Sequence, residues 1–182
     1  MKYFTGGIMN RLLKLILYLF PFFIFTLYGC EKNTIIAPSR LYYPVIYFNS
    51  FEFSWDTIGW HGYGKSIFYD APINGGKRSL YVSGGCLVPH AWVDFQNKSP
   101  FSDFKLRCWG KNLSNGGTVT LSSKNDLYKS IYISIIDSTW KKYQSDNVLH
   151  LSPNDTFRLE LISGGIVSSS MLVDLIEVVP AR

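Results

Sequence analysis

"FKLRCWGK" (residues 104–111) places Phe104, Leu106 and Cys108 at every second position, with Lys105, Arg107 and Trp109 between them. A period of two belongs to a β-strand with one face buried, because successive side chains leave a strand on opposite sides. "TFRLELIS" (156–163) repeats the pattern, with Phe157, Leu159 and Leu161 opposed to Arg158 and Glu160. Working outward, "RSLYVSG" (78–84), "HAWVDF" (90–95), "GTVTLSS" (117–123) and "SIYISII" (130–136) also read as strands. So do "PVIYFNSFE" (44–52), "TWKKYQSDNVL" (139–149) and "SMLVDLIEVV" (170–179). Turn signals such as "APINGGK" (71–77) and "NLSNGG" (112–117) separate them, and no segment carries helical apolar spacing. Eight or nine strands that each bury one face predict an all-β, antiparallel sandwich of two sheets. Residues 53–77, rich in glycine and aromatics, lack a clear strand, and a stretch that long is functional or partly structured.

The N-terminal part obeys a different rule. In "LILYLFPFFIFTLYGCEKN" (15–33), Leu15 to Gly29 carries no charge, and Lys2, Arg11 and Lys14 precede it. A basic start, an apolar stretch and a small residue before a break form a secretory signal. The stretch is shorter than the ~20 apolar residues that cross a bilayer comfortably, and Pro21 interrupts it. "LYGC" (27–30) resembles the bacterial lipoprotein box. That resemblance implies a diacylglyceryl group on the Cys30 thiol and cleavage that makes Cys30 the new N-terminus. The alternative is an ordinary secretory signal whose last cysteine is incidental. The expected organisation is a leader at 1–29, a tether at 30–43 and one β-sandwich domain at 44–182. The resemblance implies attachment to a membrane of a bacterial cell envelope, facing the periplasm or the exterior.

Charge excludes one class of partner. The chain has a net charge of +5, but from Cys30 onward 15 basic residues face 13 acidic ones, with no basic block. The electrostatic footprint that nucleic-acid binding needs is therefore missing. Cys86 and Cys108 are the remaining thiols. In an exported protein an even pair is a disulfide candidate, and the alternative is two small buried apolar side chains.

Several pieces align in order along the domain: "NSFEFS" (49–54), "NGGKRSLYVSG" (74–84), "FKLRCWGKN" (104–112), "STWKKYQSD" (138–146) and "SSMLVDLIEVV" (169–179). This series resembles the galactose-binding-like β-jelly-roll of carbohydrate-binding modules. The resemblance implies a structural calcium site using Glu52, Asp174 and backbone carbonyls around Lys77. Calcium favours six to eight hard oxygen ligands. The alternative is that both acids are solvated strand-end carboxylates.

Sugar recognition needs flat rings for the apolar face of a pyranose, with polar groups at the rim. "SWDTIGWHGYG" (54–64) concentrates Trp55, Trp60, His61 and Tyr63 beside glycines. Trp109 shares an otherwise polar strand face with Arg107 and Lys105, and Asp56 and Asn112 could donate or accept nearby. Against this stands the tendency of tryptophan to be buried, strongest for Trp60 and Trp140. HExxH, GxSxG and Walker patterns are absent, and His61, His90 and His150 lie in separate segments. The expectation is a non-catalytic, lipid-anchored module for extracellular carbohydrate or glycoconjugate. A structural or protein-interaction lipoprotein of the envelope is the rival reading, and a small hydrolase the third.

Overall fold

The computed structural model describes residues 44–84, 90–164 and 168–181. The expected leader, Cys30, the expected tether and Cys86 lie outside the described residues. Among the described residues eleven strands are formed: β1 (Tyr47–Asn49), β2 (Lys65–Phe68), β3 (Ser79–Ser83), β4 (His90–Gln96), β5 (Asp103–Ser114), β6 (Gly117–Ser123), β7 (Ser130–Ile135), β8 (Lys141–Gln144), β9 (Leu149–His150), β10 (Thr156–Ser163) and β11 (Ser170–Pro180). A 3-10 turn, Ser54–Thr57, is held by the Phe53 N–H donating to Asp56 Oδ2 at 2.9 Å.

Two antiparallel sheets make a β-sandwich, as the alternation predicts. The seven-stranded sheet runs β2-β3-β11-β5-β8, with β1 beside the second half of β11 and β9 beside the start of β5. The four-stranded sheet runs β4-β10-β6-β7. The core lies between them because the alternating apolar positions point inward: Phe104, Leu106 and Cys108 from β5, and Phe157, Leu159 and Leu161 from β10, are fully buried. Aromatic contacts stitch the layers together. Tyr47 stacks on Phe95, Phe95 on Phe157, and Phe157 meets Phe104 edge-on with centroids 4.8 Å apart.

The 53–77 stretch is partly structured. It holds the 3-10 turn and β2, whose "KSIF" is too short to show a period. The 139–149 segment divides into β8 and β9 with a turn between them.

One strand departs from simple alternation. On β11, Asp174 faces Trp109 of β5, yet Glu177 faces Arg107, so three steps on one strand match two on the other. This is a β-bulge, and Leu175 at φ 46° absorbs it. The bulge lets Val173 and Ile176, an odd and an even position, both enter the core.

Cys108 is a free, fully buried thiol whose pKa burial pushes well up. It packs as a small apolar side chain in the sheet interior.

Candidate functional site

The strand register builds a straight row across the outward face of the four-stranded sheet. Trp92 of β4 stands opposite Glu160 of β10, Glu160 opposite Thr120 of β6, and Thr120 opposite Tyr132 of β7. Directly opposite residues share a face, so all four side chains leave the sheet together. Tyr132, at the edge strand, is 63% exposed, and Trp92, Glu160 and Thr120 are half-buried. Three strand spacings of ~4.8 Å put the two rings about 14 Å apart.

Polar side chains support the Trp92 end. Arg158 donates to Asp94 through Nε at 2.9 Å and Nη2 at 3.0 Å, and Lys124 Nζ lies 3.0 Å from Asp94 Oδ2. The Arg158 hydrogen bonds hold the Asp94 carboxyl below its usual range, and the same partner raises the Arg158 guanidinium. The guanidinium carbon lies 6.0 Å from the Trp92 ring centroid, within cation–π range. His61 extends the row by one place. Its N–H donates to the Trp92 carbonyl at 2.8 Å, its carbonyl accepts from Trp92 N–H at 3.1 Å, and the two rings are 5.6 Å apart.

The six ligand candidates do not share one face. His61 joins the row just described, whereas Trp109 and Arg107 sit on the outward face of the other sheet. Trp60 is a correction: it is 6% exposed, packs edge-on against Phe51, and donates its Nε1–H to Tyr47 Oη at 3.1 Å. Its bulk and its polar tip are both satisfied inside, so it has no surface for a ligand. Trp55 and Tyr63 are 61% and 88% exposed, and Trp55 stacks on Phe53 with centroids 4.6 Å apart. Asp56 caps the 3-10 turn, and Asn112 accepts from Gly116 N–H and donates to the Ile136 carbonyl; both serve local structure. Trp140 is half-buried rather than core, and its Nε1–H donates to Asp70 Oδ1 at 2.9 Å.

Trp92 and Tyr132 were missed from sequence because each lies in an ordinary strand. The signal that could have found them was their position: aromatic residues on the polar parity of "HAWVDF" and "SIYISII".

A second constellation surrounds the bulge. Asp174 is completely buried. Its Oδ1 accepts from Leu175 N–H at 2.7 Å, and its Oδ2 has no donor among the described residues. Burial, reinforced by the Glu52 and Asp56 carboxylates, raises its pKa to about 8. Glu52 Oε1 accepts from the backbone N–H groups of Lys77 and Arg78 at 2.7 and 2.6 Å. The intervening turn needs glycine: a Cβ on Gly75 would strike Asp174 Oδ2, and one on Gly76, at φ 86°, would strike the Glu52 carboxylate. Among the described residues no group of three or more His, Cys, Asp or Glu side chains gathers for a metal. Two carboxylates and a tight backbone turn are nevertheless hard-oxygen chemistry, and the orphaned Asp174 oxygen fits a small hard cation. Lys77 contributes an N–H to Glu52 at this site.

No family model matches the chain, and no curated protein matches it in sequence. Solved structures do. The chain is similar to the CBM22-1 xylan-binding domain of Paenibacillus barcinonensis Xyn10C at 16% identity and TM-score 0.54, over 77% of this chain and 97% of that one. It is similar to an exo-β-agarase at 13% identity and TM-score 0.58, over 76% of this chain and 25% of that one. A carbohydrate-binding module of Cellvibrio mixtus lichenase 5A, solved with cellotriose, matches at 15% identity and TM-score 0.50, over 76% and 100%. At such identities the likeness shows the fold alone, a β-sandwich of two antiparallel sheets.

Proposed function

We propose that this chain is a lipid-anchored, non-catalytic module that binds neutral carbohydrate across its four-stranded sheet. The observation that carries this reading is the Trp92–Glu160–Thr120–Tyr132 row. Two rings about 14 Å apart offer apolar platforms to an extended oligosaccharide lying across the strands. Glu160 and Thr120, between them, supply an acceptor and a hydroxyl for sugar hydroxyls. Packing against sugar C–H faces with a few placed polar groups is the general design of such sites. Asp94 and Glu160 stand against Arg158 and Lys124 on this face, so it carries no excess charge of either sign, which favours a neutral chain. The xylan-binding and cellotriose-bound modules of similar fold support the same class of ligand.

The lipid anchor rests on "LYGC" and the charged, then apolar, leader, which put a diacylglyceryl group on Cys30 and the domain on a bacterial envelope membrane. Two or more acyl chains on one cysteine give stable attachment. A calcium ion held by Glu52 and Asp174 would neutralise two crowded carboxylates and fasten the segment after β1 to the last strand.

A protein-interaction role has its own support in the exposed Phe53–Trp55 stack and the neighbouring Ile58, 77% exposed. A glycan array with the full chain separates the two readings. Binding to neutral β-linked glycans that is lost in Tyr132→Ala and kept in Trp55→Ala supports the sugar site. An array that stays blank for the wild type would remove it.

A further inference from the structure

The two sheets end in β2, β8, β4 and β7, and three of these edges are guarded. β4 is closed at Trp92, whose N–H and carbonyl both bond to the His61 backbone. β2 and β8 are four residues each, β2 opening on Lys65 and β8 on Lys141 and Lys142. β1 and β9, beside the ends of β11 and β5, are shorter still. Short edges and edge lysines are how β-proteins stop a further strand from pairing. β7 has neither guard. Its Ser130–Ile135 pairs with β6 residue by residue with no register shift, and it holds no charge, proline or glycine.

The backbone fixes which groups that edge offers. Ser123 of β6 donates its N–H to the Lys129 carbonyl at 3.0 Å, whereas the next residue, Lys124, donates to the Thr156 carbonyl at 2.9 Å on the β10 side. Odd positions of β6 therefore bond to odd positions of β7, and the N–H and carbonyl groups of Ser130, Tyr132 and Ser134 point away from the sheet. Among the described residues no other strand lies beyond them. Their side chains are exposed on the outer face, and Ile131, Ile133 and Ile135 are buried on the inner one. Opposite charges bound the strand at equal distances from Ile133: Lys129 lies four residues before it and Asp137 four after. Such a strand is complementary to itself, because an antiparallel second copy brings each Lys129 across from an Asp137.

We infer that β7 pairs with β7 of a second copy of this chain about a two-fold axis at Ile133, joining two four-stranded sheets into one of eight strands. Tyr132 then stands opposite Ser134 of the partner subunit, and the two residues exchange backbone hydrogen bonds. Lys129 meets Asp137 of the partner subunit at each end of the seam. Lys129 is held only loosely within its own chain, 3.7 Å from Asp126. Asp137 already accepts from Lys141 and Tyr143, which orients its carboxylate, and a carboxylate has acceptor sites for a further cation. The contact is isologous, so it closes at two copies. Diagonal neighbours in an antiparallel pair lie ~7–8 Å apart, which brings the two Tyr132 rings beside each other across the axis. The pairing stands without the sugar reading. On that reading, the two ring rows become one, with a Tyr132 from each copy at its middle.

Sedimentation velocity of the full chain in detergent, over a concentration series, tests this. The wild type should pass from monomer to dimer as concentration rises, and added salt should weaken the dimer. Ser134→Lys guards the edge at an exposed side chain, so it leaves the fold intact. It should raise the dimer dissociation constant about tenfold, ~1.4 kcal/mol. Lys129→Glu, which sets like charges across the seam, should weaken the dimer too. Oxidative cross-linking reads the register against the wild-type background. Chains carrying Tyr132→Cys mixed with chains carrying Ser134→Cys should link, because the Cα atoms of such a pair are ~5.5 Å apart. Chains carrying Tyr132→Cys alone should not. A wild type that stays monomeric at every concentration would overturn the inference. So would a dimer that survives Ser134→Lys, which would place the contact at the apolar N-terminal segment or at another edge. A link formed by Tyr132→Cys alone would also overturn it, since that axis separates Lys129 from Asp137.

Discussion

Arg158 grips Asp94 with two parallel hydrogen bonds from adjacent strands, Nε to Oδ1 at 2.9 Å and Nη2 to Oδ2 at 3.0 Å. The fork fixes the guanidinium plane beside Trp92, so the pair braces one ring of the proposed sugar row. Arg158→Lys keeps the charge and loses the fork. It should cost on the order of 1 kcal/mol in urea unfolding and weaken glycan binding several-fold. Asp94 adds a pH effect. Its folded pKa is depressed, so its contribution is present above the ordinary carboxylate value of 3.8 and is lost as pH falls through the lower folded value. The wild type should therefore lose more stability than Asp94→Asn when acidified below that value.

Tyr132 is exposed at the edge of its sheet, so its removal should leave the fold alone. Tyr132→Ala should change unfolding free energy by less than about 0.5 kcal/mol. It should reduce affinity for a neutral oligosaccharide by about 10- to 30-fold, as for an aromatic anchor. Isothermal titration of the full chain with the best array ligand reads both the affinity and its loss.

Asp174 predicts an opposite pH trend in the chelated protein. Its folded pKa is raised, to about 8, so the folded state binds a proton that the unfolded state releases. That contribution is complete below the ordinary value of 3.8 and is lost as pH rises through about 8. In the presence of chelator, Tm should therefore fall from mildly acidic to mildly alkaline buffer. Asp174→Asn should flatten the trend. A chelated wild type with no decline would contradict the buried carboxyl.

In the proposed site calcium should reverse that decline, because a cation held by Glu52 and Asp174 would take the place of the Asp174 proton. Adding calcium at a pH above about 8 should raise Tm, and Glu52→Gln should abolish the increment. Gly76→Ala should destabilise by about 1–3 kcal/mol through its strained backbone and the clash with Glu52.

The strands were legible to the extent that their periodicity was local. β10 occupies the stretch that its alternation marks, Thr156–Ser163, and β6 likewise. β2 was not legible, since four residues at an edge with Lys65, Ser66, Ile67 and Phe68 show no dominant face. The Trp92–Tyr132 row was hidden for another reason. Trp92, Thr120, Tyr132 and Glu160 come from four strands, and only register brings them into line. Glu52 and Asp174 are equally distant in sequence, and they were singled out through a family resemblance rather than by spacing. Trp60 shows the converse limit: its glycine-rich segment marks it as a ligand candidate and its residue type as a buried one, and only its Tyr47 partner decides between them.

The bulge at Leu175 also decides how the last strand takes a change in length. Remove that one residue and plain alternation runs straight through: Val173, Ile176 and Val178 still enter the oily interior, and Asp174 and Glu177 still point away from it. A single-codon deletion there should therefore keep the two layers together and disturb only the surroundings of Asp174.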